Sequence, residues 1–192
     1  LRERFGVDIR CVRLRPHRMP DGRLLFDIQP LIPLPEAAEF QTQIGAKQAA
    51  ERKERGERAQ LLDRFLAQLA ERALARTSTH EGRTPNLRFG VLNGAIGRAG
   101  LSINYVIAKH SSRVELLLQS DDAGKLLLKL KEDQAAIESV FGGPLVWLEK
   151  EGVRQCRVFH QLEGGYRSPE TEWPAIQDRL IDAMIRLDSA VR

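Results

Sequence analysis

The sequence feature that most constrains the fold is a change of hydrophobic period between residues 101 and 162. Apolar residues first alternate with polar ones, as they do in a half-buried strand. They do so twice, in the runs 101–109 and 113–119, with the polar break His110-Ser111-Ser112 between them. This alternation predicts an antiparallel hairpin with one buried face and one face exposed to water.

A helical period follows this hairpin. Between residues 121 and 142, apolar residues recur at spacings of three, four and seven, and lysine and glutamate fill much of the remaining surface. We expect Asp121 and Asp122 to cap the start of this helix. Gly142-Gly143-Pro144 is typical of a helix end, because glycine adopts the left-handed conformation readily and proline cannot continue the helix.

A second hairpin and a closing helix complete the pattern. The apolar runs Leu145–Glu149 and Arg154–Leu162 are joined by the turn residues Lys150-Glu151-Gly152, and a last helical pattern starts near Glu172. The repeated order predicts an α+β fold with a mostly antiparallel four-stranded sheet of ββα-ββα order and helices packed on it. We expect Trp147 and Trp173 to be buried in its core, with Ile137 and Phe141 packing from the central helix onto the sheet.

The chain before this domain predicts a separate hairpin. Two apolar runs, 7–14 and 23–32, flank the turn signal Pro20-Asp21-Gly22, and the prolines from Pro30 onward are expected to end the second strand. Two strands alone are marginally stable in water, so this hairpin needs a further surface to pack on.

Residues 36–76 have a helical pattern with a hinge expected near Gly45 or Gly56. Their middle is highly charged and has almost no apolar stripe, which is typical of a connector. The end of this pattern has an apolar stripe that predicts the first helix of the next domain: Leu61, Leu62, Phe65, Leu66, Leu69, Ala73 and Leu74. We therefore divide the chain into a hairpin at 1–35, a charged helical connector at 36–60 and an α+β domain at 61–192.

Three evenly spaced glycines, Gly94, Gly97 and Gly100, precede the first predicted strand of the domain. Their spacing differs from the phosphate-binding patterns G-x-G-x-x-G and G-x-x-x-x-G-K-[ST], and no strand and helix frame them. We interpret this segment as a tight turn leading into that strand.

The sequence offers no convincing catalytic or metal site. Cys156 and His160 are four residues apart on a predicted strand, about 13 Å, which is too far for two ligands of one zinc ion. Ser111 and Ser112 adjoin His110 without a third orienting group, and turn chemistry explains them. Glu51-Arg52-Lys53, the one Glu-x-Lys, lies in the charged connector. We therefore expect no cofactor, no metal and no catalysis by this chain.

Composition restricts the class of protein further. The 192 residues include no run of about 20 apolar residues and no signal peptide, and the two cysteines, Cys11 and Cys156, lie in different predicted modules. These observations favour a cytoplasmic protein with reduced thiols and no membrane partner. The chain starts at a charged stretch without Met, and we expect it to be a fragment of a longer protein.

The positive charge lies mainly in the first half of the chain. Residues 1–100 hold 18 Lys and Arg against 12 Asp and Glu, whereas residues 101–192 hold 12 against 14. This surplus is compatible with a polyanionic partner, and it is mild enough for ordinary solvated arginines to explain it.

Packing residues of the domain carry a family resemblance. These are Val114-Glu115-Leu116, the run 137–142, Leu145-Val146-Trp147 and Trp173. Over residues 61–191 the chain resembles an uncharacterised bacterial family, a domain of unknown function at the C-terminus of predicted restriction-endonuclease-like proteins. The matching residues are packing residues, so the resemblance supports fold more than function.

The same resemblance implies a nuclease of the PD-(D/E)xK class upstream. The residues from Phe5 to Pro35 look like its last two strands, so the metal-binding and cutting residues would precede Leu1, and no family catalytic position carries over. Relatives often have Trp near the position of Phe65, which is a difference in packing. We therefore expect a DNA-associated accessory module of an endonuclease-like protein.

The candidate contacts to nucleic acid are five arginines in the hairpin: Arg10, Arg13, Arg15, Arg18 and Arg23. Alternation puts Arg10 on one strand face and leaves Arg18 free in the loop, so convergence is not guaranteed. Arginines that converge would bind phosphates and release counterions, without reading the base sequence. The alternative is a protein-interaction or dimerisation module, including a homo-oligomer, which the net −2 of the second half favours.

Overall fold

The computed structural model describes residues 11–32, 35–149 and 155–192. Two compact units are present, Leu1–Arg55 and Gly56–Arg192. The predicted turn Lys150-Glu151-Gly152 and the side chains of Arg10 and Arg154 lie outside the described residues.

The first unit contains the predicted β-hairpin. Strand β1 (Cys11–Arg18) pairs antiparallel with β2 (Leu24–Ile32), and the amide of Met19 donates to the carbonyl of Arg23 across the turn. Strand β2 ends at Ile32, directly before Pro33, as the run 23–32 and its following prolines predicted, and Pro30 lies within the strand. Both strands of a two-stranded sheet are edge strands, where a proline nitrogen needs no ladder hydrogen bond.

A single helix, α1 (Pro35–Leu74), follows the hairpin and is 40 residues long. The helix assignment continues through Gly45 and Gly56, and the boundary between the two compact units falls at Arg55 and Gly56, so the predicted hinge near Gly45 or Gly56 stays a prediction. A glycine inside a helix weakens it by about 1 kcal/mol relative to alanine but does not interrupt its hydrogen bonds. No helix among the described residues is both long and apolar enough to cross a membrane.

The second unit is built on a five-stranded antiparallel sheet in the order β3-β4-β5-β7-β6. Its strands are β3 (Val91–Ala95), β4 (Leu101–Ile107), β5 (Ser111–Gln119), β6 (Val146–Leu148) and β7 (Gln155–Glu163). The predicted α+β class is confirmed, and β3 is a strand that the sequence did not predict.

Strand β3 occupies part of the predicted glycine turn. Gly97 and Gly100 do lie in a turn, with φ of +77° and +78°. Gly94 instead pairs with Ile103 inside the sheet, where a Cβ would lie 2.6 Å from His80 Nε2. Position 94 therefore requires glycine, because a larger residue would clash with His80. The glycine interrupts the alternation of apolar and polar residues, so the hydrophobic period did not predict this strand.

Three further helices follow β5 and β7: α2 (Ala123–Glu132), α3 (Gln134–Phe141) and α4 (Trp173–Val191). The prediction of one helix over 121–142 was wrong, because the chain tightens at Asp133, whose amide donates to the carbonyl of Leu130. Asp122 occupies the N-cap position of α2 without a capping hydrogen bond, and its carboxylate accepts from Lys125 Nζ at 2.9 Å. Gly142 is a left-handed C-cap, as predicted.

The core lies between one face of the sheet and the helices. Ile137 and Phe141 are buried there, as is Trp173, and these predictions are confirmed. Trp147 is only partly buried, because β6 is an edge strand. Its indole Nε1 donates to Glu138 Oε1 at 2.9 Å, which ties β6 to α3.

The end of α1 is the first helix of this unit, as its apolar stripe predicted. Phe65 packs edge-on against Trp173 of α4, with ring centroids 5.2 Å apart. Two ion pairs join α1 to α4: Arg72 pairs with Asp178 at 2.6 Å, and Arg76 pairs with Asp182 at 2.5 Å. The second pair lies four residues further along both helices. The two helices therefore pack in parallel.

Candidate functional site

The face of the sheet opposite the core carries a row of polar and aromatic side chains, which we call the open-face row. Cross-strand register places Asn93 beside Asn104, Asn104 beside Glu115, and Glu115 beside Phe159. Each of these residues alternates with core residues in its own strand, which sends its side chain to the other face. One row thus crosses four neighbouring strands.

A cleft of about 400 Å³ lies over this row, and we call it the open-face cleft. Side chains from β3, β4, β5 and β7 form its floor, and the segment before β3 forms one wall. Its lining residues are Asn86, Phe89, Val91, Asn93, Asn104, Val106, Arg113, Glu115, Leu117, Gln155 and Arg157. The volume is at the small end of the range of ligand-binding clefts.

Glu115 is the electrostatic centre of the cleft. Its side chain is 5% exposed, and its Oε2 lies 2.8 Å from Arg113 Nε and 3.7 Å from Arg157 Nε. The amide Nδ2 of Asn104 donates to the other oxygen at 3.4 Å. A buried carboxylate requires such partners, because an isolated charge is strongly disfavoured away from water. Two guanidinium groups against one carboxylate leave one positive charge in excess.

Two polar atoms in the cleft have no hydrogen-bond partner. Asn104 is 1% exposed, and its Oδ1 is unpaired. Arg157 donates through Nη2 to Gln155 Oε1 at 3.2 Å, whereas its buried Nε, 3.7 Å from Glu115 Oε2, makes no hydrogen bond to the described residues. Buried polar groups are nearly always hydrogen-bonded in folded proteins, so each of these two atoms lacks a hydrogen bond that ordered water or a ligand would supply.

Aromatic rings flank the charged centre. Phe89 is 64% exposed, and the guanidinium of Arg88 lies over its ring, 5.3 Å from the centroid. Phe159 has the guanidinium of Arg113 at 5.4 Å. The cleft therefore offers cationic donors, one amide acceptor and a ring face, which together suit a ligand that is both anionic and planar.

A second polar pair lies on the core side of the sheet. The rings of His80 and Tyr105 are 4.6 Å apart, and within the described part of the chain the Tyr105 hydroxyl has no hydrogen-bond partner, while the backbone of Ile103 is the one polar group that favours the protonated form of His80 by hydrogen bonding. Burial lowers the pKa of His80 to about 4 and raises the pKa of Tyr105 above its usual range. His80 is thus neutral at pH 7 and is closed off from the open-face cleft by the sheet.

The arginines predicted to bind nucleic acid are only partly brought together. Register places Arg13 and Arg15 on one face of β1 and Arg18 on the other. The prediction that Arg18 is free in the loop was wrong, since it is the last residue of β1 and pairs with Leu24. Arg23 is held in the turn by Asp21, with Nε 2.6 Å from Oδ2, and Arg10 lies outside the described residues. Their binding role stays a prediction.

The other chemically suggestive residues have structural roles. Ser112 Oγ donates to the carbonyl of Gly164 at 2.6 Å, and His160 packs against Phe141 with centroids 5.1 Å apart. Both cysteines are free thiols, Cys11 exposed and Cys156 buried. Within the described part of the chain, no group of three or more His, Cys, Asp or Glu residues is arranged to hold a metal ion.

The sequence predicted one part of the open-face cleft and missed the rest. Alternation in β5 correctly put Arg113 and Glu115 on the face opposite the core, but the prediction that this face is exposed to water was wrong for Glu115, which Asn104 and the two arginines bury. Asn104 and Arg157 reach the same place only through pairing with β4 and β7, which alternation within one strand does not specify. Phe89 had no periodic signal, since it lies in the segment before β3.

Comparisons with known proteins address the family. Neither a protein with a curated function nor a solved structure matches the chain. A family model, a domain of unknown function designated DUF4268, matches residues 61–192. The match includes every residue that lines the open-face cleft, and it covers more than half of the sequence. The chain therefore belongs to the DUF4268 family of domains of unknown function.

Proposed function

We propose that this chain is a nucleic-acid-binding accessory module and that the open-face cleft is its binding surface. The observation that carries the proposal is the pair Arg113 and Arg157 around one buried carboxylate, beside the exposed ring of Phe89. Nucleic acids combine the phosphate anion and the planar base that such a surface suits.

The charge balance of the cleft supports an anionic partner. Glu115 compensates one guanidinium and holds both in place, so the second provides an uncompensated charge above a partly apolar floor. Arg113 and Arg157 keep about a third of their side chains exposed, 32% and 31%. Their outer nitrogens are therefore accessible to a phosphate, which arginine binds with fork geometry.

The hairpin adds a smaller contribution in this proposal. Arg13 and Arg15 lie on one face of β1 and form a short basic strip, with Asp27 opposite Arg15. The residues from Phe5 to Pro35 resemble the last two strands of a nuclease domain, which implies that a separate domain would cut the nucleic acid. We include this association with an endonuclease-like protein in the proposal, and the chain itself would position the substrate.

Binding of a fluorescent oligonucleotide at several salt concentrations tests the proposal. Arg157→Gln removes one cation while Arg113 still pairs with Glu115, and Arg83→Gln removes an exposed cation that does not line the cleft. We expect weaker binding for Arg157→Gln, with the slope of log affinity against log salt reduced by about 0.7 to 0.9, and no such change for Arg83→Gln.

A hairpin variant completes the comparison. In it Arg13, Arg15 and Arg18 are replaced by Ser, and we expect a smaller loss than for Arg157→Gln. Equal affinities for the two glutamine variants would refute the cleft as the binding surface. No detectable binding at low salt would refute the nucleic-acid role altogether.

A second candidate function is dimerisation through the hairpin. Its apolar face consists of exposed Val12, Leu14, Leu24, Phe26 and Ile28. Such a face is unusual on a monomer, and two copies of an apolar face can pack together without charge complementarity. This function predicts a concentration-dependent mass that disappears when residues 1–35 are removed.

A further inference from the structure

We infer that the open-face cleft selects single-stranded nucleic acid, with one unstacked base held between Phe89 and Asn104 and its phosphate on Arg157. This inference rests on the proposed function and adds the strand state of the ligand. The cleft contains features that recognise a base, whereas binding to duplex phosphates would require the cations alone.

The first of these features is the unpaired oxygen of Asn104. Its amide nitrogen already donates to Glu115, so the amide orientation is fixed by the carboxylate and Oδ1 is the atom left free. A base that enters the cleft can supply the N–H donor that this buried oxygen lacks. The Watson–Crick edge of every nucleobase carries at least one N–H group, and that edge is accessible only when the base is unpaired.

The second feature is the exposed ring of Phe89. It stands at the wall of the cleft and is 64% exposed, although burying a phenylalanine is usually favourable. Arg88 lies over one face of this ring, so a base would stack on the other face. Stacking on aromatic side chains tolerates any base, and in a duplex those base faces are already occupied.

The third feature is the arrangement of two arginines and Asn104 around the buried carboxylate of Glu115. Arg113 and Arg157 contact one oxygen of Glu115, and Asn104 contacts the other. The acceptor and the cations therefore lie on different sides of the same carboxylate. A nucleotide spans both sides, with its base toward Asn104 and its phosphate toward Arg157. Inorganic phosphate would satisfy the cations only.

The experiment compares a labelled single strand with a hairpin duplex of equal phosphate number, using the full chain. The variants are Phe89→Ala, in the cleft, and Phe26→Ala, which removes a similarly exposed ring, 54%, from the β1–β2 hairpin. We expect the chain to prefer the single strand. Phe89→Ala should weaken single-strand binding roughly tenfold and duplex binding far less, and Phe26→Ala should change neither.

A competition arm separates base recognition from anion binding. A nucleoside monophosphate should displace the single strand at concentrations where inorganic phosphate does not. Phe89→Trp, which keeps a stacking surface, should retain single-strand binding, and thermal melts of each variant identify any loss that is due to unfolding.

The outcomes distinguish this inference from the proposed function. Equal affinity for single strand and duplex, an unchanged single-strand affinity for Phe89→Ala, or equal competition by inorganic phosphate would each overturn the inference and leave nucleic-acid binding standing. No binding of either oligonucleotide would overturn both.

Discussion

The hairpin of β1 and β2 and the five-stranded sheet are both antiparallel, yet their side chains have opposite environments. Every residue of β1 is exposed, and apolar residues of β2 such as Phe26 and Ile28 are more than half exposed. In the sheet, alternate residues such as Tyr105 and Leu116 are buried. Hydrogen-bonded pairing is common to both regions, and among the described side chains only the five-stranded sheet buries a hydrophobic core.

This comparison shows why the two groups of arginines are not equivalent. Arg13 and Arg15 project from a two-stranded ribbon with no buried partner to fix them. Arg113 and Arg157 are held by a carboxylate that the sheet buries, and their separation is therefore set. Binding sites require side chains fixed by surrounding packing, because flexible side chains lose conformational entropy when they bind.

The largest expected effect is on the free energy of unfolding, and it comes from replacing a buried phenylalanine of the second unit by alanine. The same replacement in the hairpin serves as the comparison. Phe141→Ala removes a ring that is 1% exposed and lies under the guanidinium of Arg186, and it should lower the free energy of unfolding by about 3 to 4 kcal/mol. Phe26→Ala, at an exposed site, should change it by less than about 0.5 kcal/mol. Urea melts followed by far-UV circular dichroism, which reports backbone structure in both units, measure both variants, and similar losses would contradict the contrast between the regions.

A somewhat smaller change in the free energy of unfolding is expected when the pH is lowered. The pKa of His80 is lowered to about 4 by burial, against 6.5 for the unfolded chain. Between these values only the unfolded chain takes up the proton, so the free energy of unfolding falls as pH drops from 6.5 to 4. The loss is at most about 3 kcal/mol.

The controls for this effect are two histidine variants. His80→Gln should flatten the pH dependence of unfolding over that range, and His17→Asn, in the exposed hairpin, should leave it as it is in the unmodified chain. Carboxylates that titrate below pH 5 are common to all three proteins and cancel in the comparison. Parallel curves for His80→Gln and the unmodified chain would show that His80 is not the group responsible.

The smallest effect is expected from removing residues 1–35. Both tryptophans, Trp147 and Trp173, belong to the second unit, so their fluorescence reports the unfolding of that unit alone. The midpoint of the urea melt should not change on truncation. Loss of a cooperative melt would show that the sheet depends on the hairpin and would contradict the division into two units. Sedimentation of the same truncated protein tests hairpin-mediated dimerisation.

Local pattern predicted much of the fold. Alternation located β4, β5 and the buried face of each, and the helical period located Ile137, Phe141 and the stripe of α4. The errors occurred where a tertiary contact decides local structure. Gly94 lies in a strand, and the residue there is glycine because the ring of His80 occupies the space that a Cβ would need. The helix break at Asp133 has no glycine or proline to mark it.

The sequence by itself determined which residues share a face within each strand and helix, because that depends only on the backbone period. Only the tertiary structure decided that β5 pairs with β7, and that Asn104, Glu115 and Phe159 therefore form one row. Register between distant strands is fixed when all of them bury their apolar faces together, since a shift of one residue would expose the core. The open-face cleft is a consequence of that shared register.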